Sequence, residues 1–159
     1  SVPMLAEVND PKVAYTFHSY EPLIFTHQGA YWVDGMPSDF RIAYPNTIEN
    51  YRESSKMLSQ ELAGAIFEGD LPEVGPAFFE ALFQPALKIA EERDIPLYCG
   101  EYGVIDQADT ESTLHWYRTI TSVFDKYHIG RAAWTYKGMD FGLTDSHMNP
   151  ILPQVLPLL

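Results

Sequence analysis

The sequence has very few of the residues on which several classes of protein depend. Cys99 is the only cysteine among 159 residues, which excludes an intrachain disulfide and a metal cage built from thiolates. It lies in an apolar run and is expected to be a small core residue. Basic residues number 10 against 22 acidic ones, a formal net charge of -12. The chain therefore lacks the positive surface that nucleic acid or an anionic membrane attracts, and neither is expected as a partner.

Long apolar runs and repeats are also missing. No run of about eighteen apolar residues predicts a membrane-spanning helix, and no signal peptide or fixed repeat period is found. Because the chain begins Ser1-Val2-Pro3, we expect its natural N-terminus and any targeting signal to lie outside it. The acidic balance suits a secreted or surface protein that acts on an uncharged substrate, and the compartment stays open.

The composition does favour a folded domain. Hydrophobic residues make up 46% of the chain and aromatic residues 14%, which is enough to bury a core at this length and argues against disorder. We predict a single domain over residues 1–159.

Strand and helix patterns alternate along the chain. Three strands are predicted, at residues 13–20, 95–99 and 131–136. Helices are predicted at 51–67, 76–93, 111–128 and 151–159, with a break or restart at Pro85. Residues 21–50 are irregular and rich in aromatics, as functional loops often are. This order predicts an α/β fold with parallel strands joined by right-handed crossovers, and the continuous apolar run 95–99 predicts a strand covered on both faces.

Polar and aromatic side chains stand where the predicted strands end. Alternation places His18 and Tyr20 on one face at the end of the first strand. Glu101, between Gly100 and Gly103, follows the second strand, where an unpaired carboxylate is costly. An alternative interpretation of each of these side chains is a hydrogen-bonded core residue with a purely structural role. Their common position nevertheless favours a functional site, because active sites in parallel α/β folds lie at the carboxyl ends of the strands.

Five blocks of sequence resemble one known family. Residues 15–22 (YTFHSYEP) and 25–30 (FTHQGA) resemble the sixth strand and loop of cellulase-like enzymes of glycoside hydrolase family 5. Residues 98–104 (YCGEYGV) resemble the seventh strand, and residues 133–137 (AWTYK) with 140–142 (DFG) resemble the eighth. Ser19 and Tyr102 stand where aromatic residues and Phe are common in the family, and these departures leave the chemistry unaffected.

The resemblance implies a (β/α)8 barrel and hydrolysis of β-1,4-glycosidic bonds, with retention of configuration, in a cellulose-type β-glucan. Glu101 would be the nucleophile, Tyr20 would hydrogen-bond it, and His18 would lie beside it. Trp134 would stack beneath the sugar. Trp32 and Lys137 are further candidate substrate-binding residues, although Trp32 and its neighbour Tyr31 equally suit a loop pinned by its own hydrophobic side chains.

Only a part of such a barrel is predicted here. A complete barrel needs about 250 residues, and this chain resembles the C-terminal portion, with about three βα units. The family's general acid is a Glu that follows Asn on the fourth strand, before the matched part. Glu21 and Asp140 are poor substitutes, so the chain alone is expected to be inactive or very weak. We expect it to pair with the missing barrel half or to self-associate through exposed strand edges.

The alternative function is a truncated barrel that binds carbohydrate, or serves assembly, without catalysis. No cofactor is expected. No metal is expected either, because His27 and His115 have no partner at ligand spacing, and residues 106–111 lack the spacing of a calcium loop.

Overall fold

Three short parallel strands form one sheet in the computed structural model, which describes residues 6–8, 10 and 12–159. Strand β1 is Tyr15–Ser19, β2 is Leu97–Tyr102 and β3 is Gly130–Arg131. The strand order is β1-β2-β3, and both pairs are parallel. The α/β fold with parallel strands is thus confirmed.

Helices connect the strands, and short helical segments follow the last strand. They are α1 Leu23–Thr26, α2 Ile48–Ser55, α3 Gln60–Phe67, α4 Pro76–Arg93, α5 Thr110–Lys126 and α6 Leu152–Val155, with 3-10 turns at Ser146–Met148 and Leu156–Leu158. Among the described residues, no helix is both long and apolar enough to cross a membrane.

The predicted helix 51–67 is wrong as one element. It is divided into α2 and α3, since the Ser59 side chain accepts a hydrogen bond from Leu62 N and caps a new helix there. The predicted break at Pro85 is also wrong. Pro85 lies within the continuous helix α4 on its exposed side, where water can satisfy the carbonyl that proline leaves without a donor.

The predicted third strand 131–136 is shorter in the structure. Ala132 N and Trp134 N still donate to Cys99 O and Tyr102 O of β2, but only Gly130–Arg131 form a regular ladder. Beyond them the chain turns into a loop in which Met139 and Asp140 have positive φ angles. A strand that is paired on one side only is held less firmly in the extended conformation.

The core lies between β2 and the helices α4 and α5. The Tyr102 ring packs edge-on against Phe124, with centroids 5.2 Å apart, and Phe124 stacks on Phe83 of α4 at 5.7 Å. Trp116 is fully buried in the same cluster. This aromatic layer fixes the helix side of β2 and therefore decides which way its other side chains face.

The opposite face of the sheet is open. Thr16 and His18 of β1 are exposed, and Tyr98 of β2 is 38% exposed. The prediction that both faces of the second strand are covered is therefore wrong for the part of the chain that the structure describes. The open face is the one on which the candidate site lies.

Candidate active site

Glu101 reaches the open face because β2 carries a bulge. In a regular strand Glu101 would share a face with Cys99, which is fully buried. The register instead slips, pairing Phe17 with Cys99 and His18 with Glu101, so that Gly100 is the extra residue. A Cβ on Gly100 would lie 3.5 Å from His18 Nε2, so Gly100 and Glu101 both face His18.

Two side chains from the end of β1 contact the Glu101 carboxylate. Tyr20 donates its hydroxyl to Glu101 Oε2 at 3.0 Å, and His18 Nδ1 lies 3.4 Å from the same oxygen. Burial, followed by the hydrogen bond to Glu101, raises the pKa of Tyr20 well above its ordinary value. Tyr20 is therefore protonated at any physiological pH and acts as a permanent donor to the carboxylate.

A cavity of about 340 Å³ opens over this carboxylate. Its walls are mostly aromatic: Tyr20, His27, Tyr31, Trp32, Glu101, Trp134, Met139, Asp140 and Phe141. Trp134 is held over β2 by its backbone bond to Tyr102 O. Gly103 permits this approach, because a Cβ there would lie 2.3 Å from Trp134 O. Flat aromatic faces beside a carboxylate suit a pyranose ring.

The structure brings together five of the six candidate residues. Glu101, His18 and Tyr20 are in contact, and Trp134 and Trp32 line the same cavity. Lys137 is exposed and is not part of the cavity wall.

The two other carboxylates considered as an acid lie apart from this contact. Glu21 faces the helix side, where its Oε2 accepts a hydrogen bond from Leu23 N at 3.3 Å, and burial raises its pKa to about 7. Asp140 lies on the cavity wall, and its backbone carbonyl accepts from Asp106 N. In the part of the chain that the structure describes, neither carboxylate bonds to Glu101.

His27 is a further residue of the cavity, and its sequence position was interpreted only as that of a poor metal ligand. Its ring lines the cavity, 5.1 Å from the Tyr20 centroid and 5.2 Å from that of Phe141. The available signal was its place in the block 25–30, directly after the strand that carries Tyr20. No group of three or more His, Cys, Asp or Glu residues suited to a metal is found within residues 6–8, 10 and 12–159.

The chain is similar to known proteins in sequence and in fold. The family model of cellulases, glycosyl hydrolase family 5, matches residues 2–140. Endoglucanase C of Acetivibrio thermocellus is 32% identical over 156 residues, which are 98% of this chain and 45% of that protein. Cellodextrinase A of Ruminococcus flavefaciens is 36% identical over 131 residues, 82% of this chain and 32% of that protein.

Solved structures show the same fold. Cel5A of Thermotoga maritima, determined in complex with cellobiose, superposes with a TM-score of 0.64 at 22% identity, covering 98% of this chain and 43% of that one. A hyperthermophilic endo-beta-1,4-glucanase in complex with substrate gives a TM-score of 0.59 at 25% identity, covering 91% and 38%. The chain thus spans less than half the length of these relatives and forms a partial (β/α)8 barrel. Since the cellulase model extends over most of its length, the chain belongs to glycosyl hydrolase family 5.

Proposed function

We propose that Glu101 is the nucleophile of a retaining hydrolase of β-1,4-glucans, and that this chain is the nucleophile-bearing part of the catalytic domain. The observation that carries the proposal is the contact of Glu101 Oε2 with Tyr20 and His18 on the floor of an aromatic cavity. The relatives named above are an endoglucanase and a cellodextrinase, which supports a glucan as substrate.

The geometry suits a two-step displacement. The Glu101 carboxylate attacks the anomeric carbon, the bond to the leaving oxygen breaks, and a general acid protonates that oxygen. Water, deprotonated by the same group, then releases the sugar from Glu101 with net retention. Tyr20 keeps one carboxylate oxygen oriented, which leaves the other free to attack. Trp134 and Trp32 offer the apolar faces against which sugar rings stack.

The proposed mechanism also requires a general acid close to Glu101. Retaining enzymes hold two carboxyl groups about 5 Å apart, and Glu21 is bonded on the far side of the sheet. We assign the acid to strands of the barrel outside this chain, which would pair with the open edges of β1 and β3. The chain by itself is expected to be inactive.

Covalent trapping tests the nucleophile. In the complete enzyme, a 2-deoxy-2-fluoro-β-cellobioside with a dinitrophenyl leaving group should label Glu101. The fluorine slows both formation and hydrolysis of the glycosyl-enzyme, whereas the dinitrophenolate leaving group speeds formation alone, so the covalent intermediate accumulates. Peptide mass spectrometry locates the label. Glu101→Gln should abolish labelling and lower glucan hydrolysis about 10³-fold or more.

The matched control is Glu111→Gln, an exposed carboxylate at the start of α5, which should be labelled and active like the parent. A label on another carboxylate, or hydrolysis by Glu101→Gln near the parental rate, contradicts the assignment.

A non-catalytic carbohydrate-binding module is the second candidate. The exposure of Tyr31 and Trp32, 86% and 45%, favours it, because exposed rings bind sugar without any chemistry. Cellohexaose binding by the complete protein, with neither label nor hydrolysis, would support the module.

A further inference from the structure

His27 is held in one orientation at the edge of the cavity. Its ring lies between Tyr20 and Phe141, at centroid distances of 5.1 and 5.2 Å. Its Nδ1 lies 3.0 Å from Thr26 Oγ1, and Thr26 is fully buried. Since Nδ1 is turned toward Thr26, the remaining ring nitrogen, Nε2, is the one available to a ligand.

The single hydroxyl hydrogen of Thr26 determines which tautomer His27 adopts. Thr26 has one hydroxyl hydrogen, and its Oγ1 donates it to Tyr20 O, a carbonyl that can only accept. The same Oγ1 can therefore meet His27 Nδ1 only as an acceptor, so Nδ1 carries the hydrogen. Nε2 then holds a lone pair, and it has no protein hydrogen-bond partner within the described ranges although the ring lines the cavity.

We propose that Thr26 fixes His27 as the Nδ1–H tautomer, so that Nε2 is a permanent acceptor for a hydroxyl of the glucan unit bound beside Glu101. This inference rests on the proposed function and adds a specificity-determining residue to it. A glucan offers hydroxyl hydrogens along its whole length, whereas a methylated or deoxygenated unit at this position leaves Nε2 without a donor.

The surroundings of His27 keep it an acceptor. Burial lowers the pKa of His27 to about 4, so the ring is neutral near pH 7. Besides Glu101 and Asp140, the cavity wall carries the hydroxyls of Tyr20 and Tyr31 and the indole N–H groups of Trp32 and Trp134. Tyr20 donates its hydrogen to Glu101, and among the described residues none of the other donors is hydrogen-bonded to His27. A ligand in the cavity can therefore supply the donor for Nε2.

Long-range ¹H–¹⁵N NMR of the histidine rings tests the tautomer in this chain. At pH 7 the His27 signals should show a protonated Nδ1 and an unprotonated Nε2. Thr26→Val, which keeps the shape and removes the hydroxyl, should shift His27 toward a mixture of tautomers. The control is Thr121→Val, since Thr121 is equally buried and donates to Tyr117 O on α5. Thr121→Val should leave the His27 spectrum unchanged, and a protonated Nε2 in the parent overturns the proposal.

Binding of cellotetraose tests the role of Nε2. Saturation should move the Nε2 resonance of His27 together with the indole resonance of Trp134. His27→Leu should weaken binding roughly five- to tenfold, as expected for one lost hydrogen bond. His27→Gln, whose amide oxygen can take the place of Nε2, should restore most of the affinity, which a purely structural role would not produce.

The outcomes separate this inference from the proposed function. If cellotetraose moves the Trp134 resonance and leaves His27 Nε2 unmoved, sugar binding stands and the role of His27 is wrong. If neither resonance moves, cellotetraose does not bind at this cavity, and both the inference and the substrate-binding part of the proposed function fail.

Discussion

Two glutamates at the ends of neighbouring strands have opposite environments. Glu101 lies on the open side of the sheet, where Tyr20 donates to it. Glu21 follows Tyr20 directly and therefore points to the other side, where burial and then the nearby Glu68 raise its pKa from 4.5 to about 7, against the hydrogen bond from Leu23 N. Nucleophile chemistry needs an ionised carboxylate. Glu21 does not meet that requirement below neutral pH, because it is then largely protonated.

Glu21 should make the stability of the chain depend on pH. Its folded pKa is above its unfolded value, so the folded state binds more protons between about pH 4.5 and pH 7. The free energy of unfolding should therefore fall as the pH rises through this window, by about 3 kcal/mol. Glu21→Gln should remove this contribution, measured by urea unfolding at a series of pH values.

The control for this pH series is Glu91→Gln on the exposed side of α4. It should keep the parental pH dependence. An identical slope in the parent and in Glu21→Gln would show that Glu21 does not titrate in this window.

At the scale of elements, one buried glutamine closes the long loop between α1 and α2. The Gln28 side chain accepts from Ile42 N at 2.9 Å and donates to Ile42 O at 3.2 Å and to Phe25 O at 2.9 Å. It is 1% exposed. The amide thus bonds both the N–H and the carbonyl of Ile42, as a residue of a neighbouring strand would. These bonds join the two ends of residues 28–42, the segment that carries Trp32 on the cavity wall.

Gln28→Met should open this loop. Methionine has a similar volume but leaves the N–H and the carbonyl of Ile42 without their Gln28 partners, a loss of about 2–4 kcal/mol, whereas Phe25 O keeps the bond from the backbone N–H of residue 28. We expect a lower free energy of unfolding and faster proteolysis within residues 29–41. Gln84→Met on the exposed side of α4 is the matched control and should change neither quantity. Parental resistance to protease in Gln28→Met would show that the loop is held by other contacts.

At the scale of the whole molecule, the sheet is a segment of a barrel wall. β1 and β3 each pair on one side only among the described strands, and the face with Thr16, His18 and Tyr98 is open. In a closed barrel the inner face is filled by side chains from the other strands. The chain spans 45% of the length of Endoglucanase C and so forms only part of a barrel. This one fact accounts for the open edges of the sheet and for the proposed need for a general acid from outside the chain.

Self-association should follow from these edges. We expect the chain alone to form dimers or larger species whose proportion rises over about a hundredfold range of concentration, measured by sedimentation velocity. Thr16→Lys, which places a charge on the open face beside the β1 edge, should reduce association. Ser122→Lys on the exposed side of α5 adds the same charge away from the sheet and should have no effect. A monomer at every concentration contradicts the prediction.

Patterns in the amino-acid sequence were sufficient to place the polar residues at the strand ends and to indicate their family. Its local signals were sufficient for β1 and α5, because period-2 alternation and helical periodicity are set by neighbours in the chain. The pairing of His18 and Tyr20 on one face was predictable for the same reason.

Other features depend on contacts between residues far apart in the chain, and only the folded structure shows them. The bulge at Gly100 turns Glu101 away from the face of Cys99, because β1 and the aromatic core fix the register of β2. Pro85 stays in a continuous helix because it lies on the exposed side of α4, where water reaches the carbonyl left without a donor. Contacts between residues far apart in the chain leave no periodic signal, so only the folded arrangement shows them.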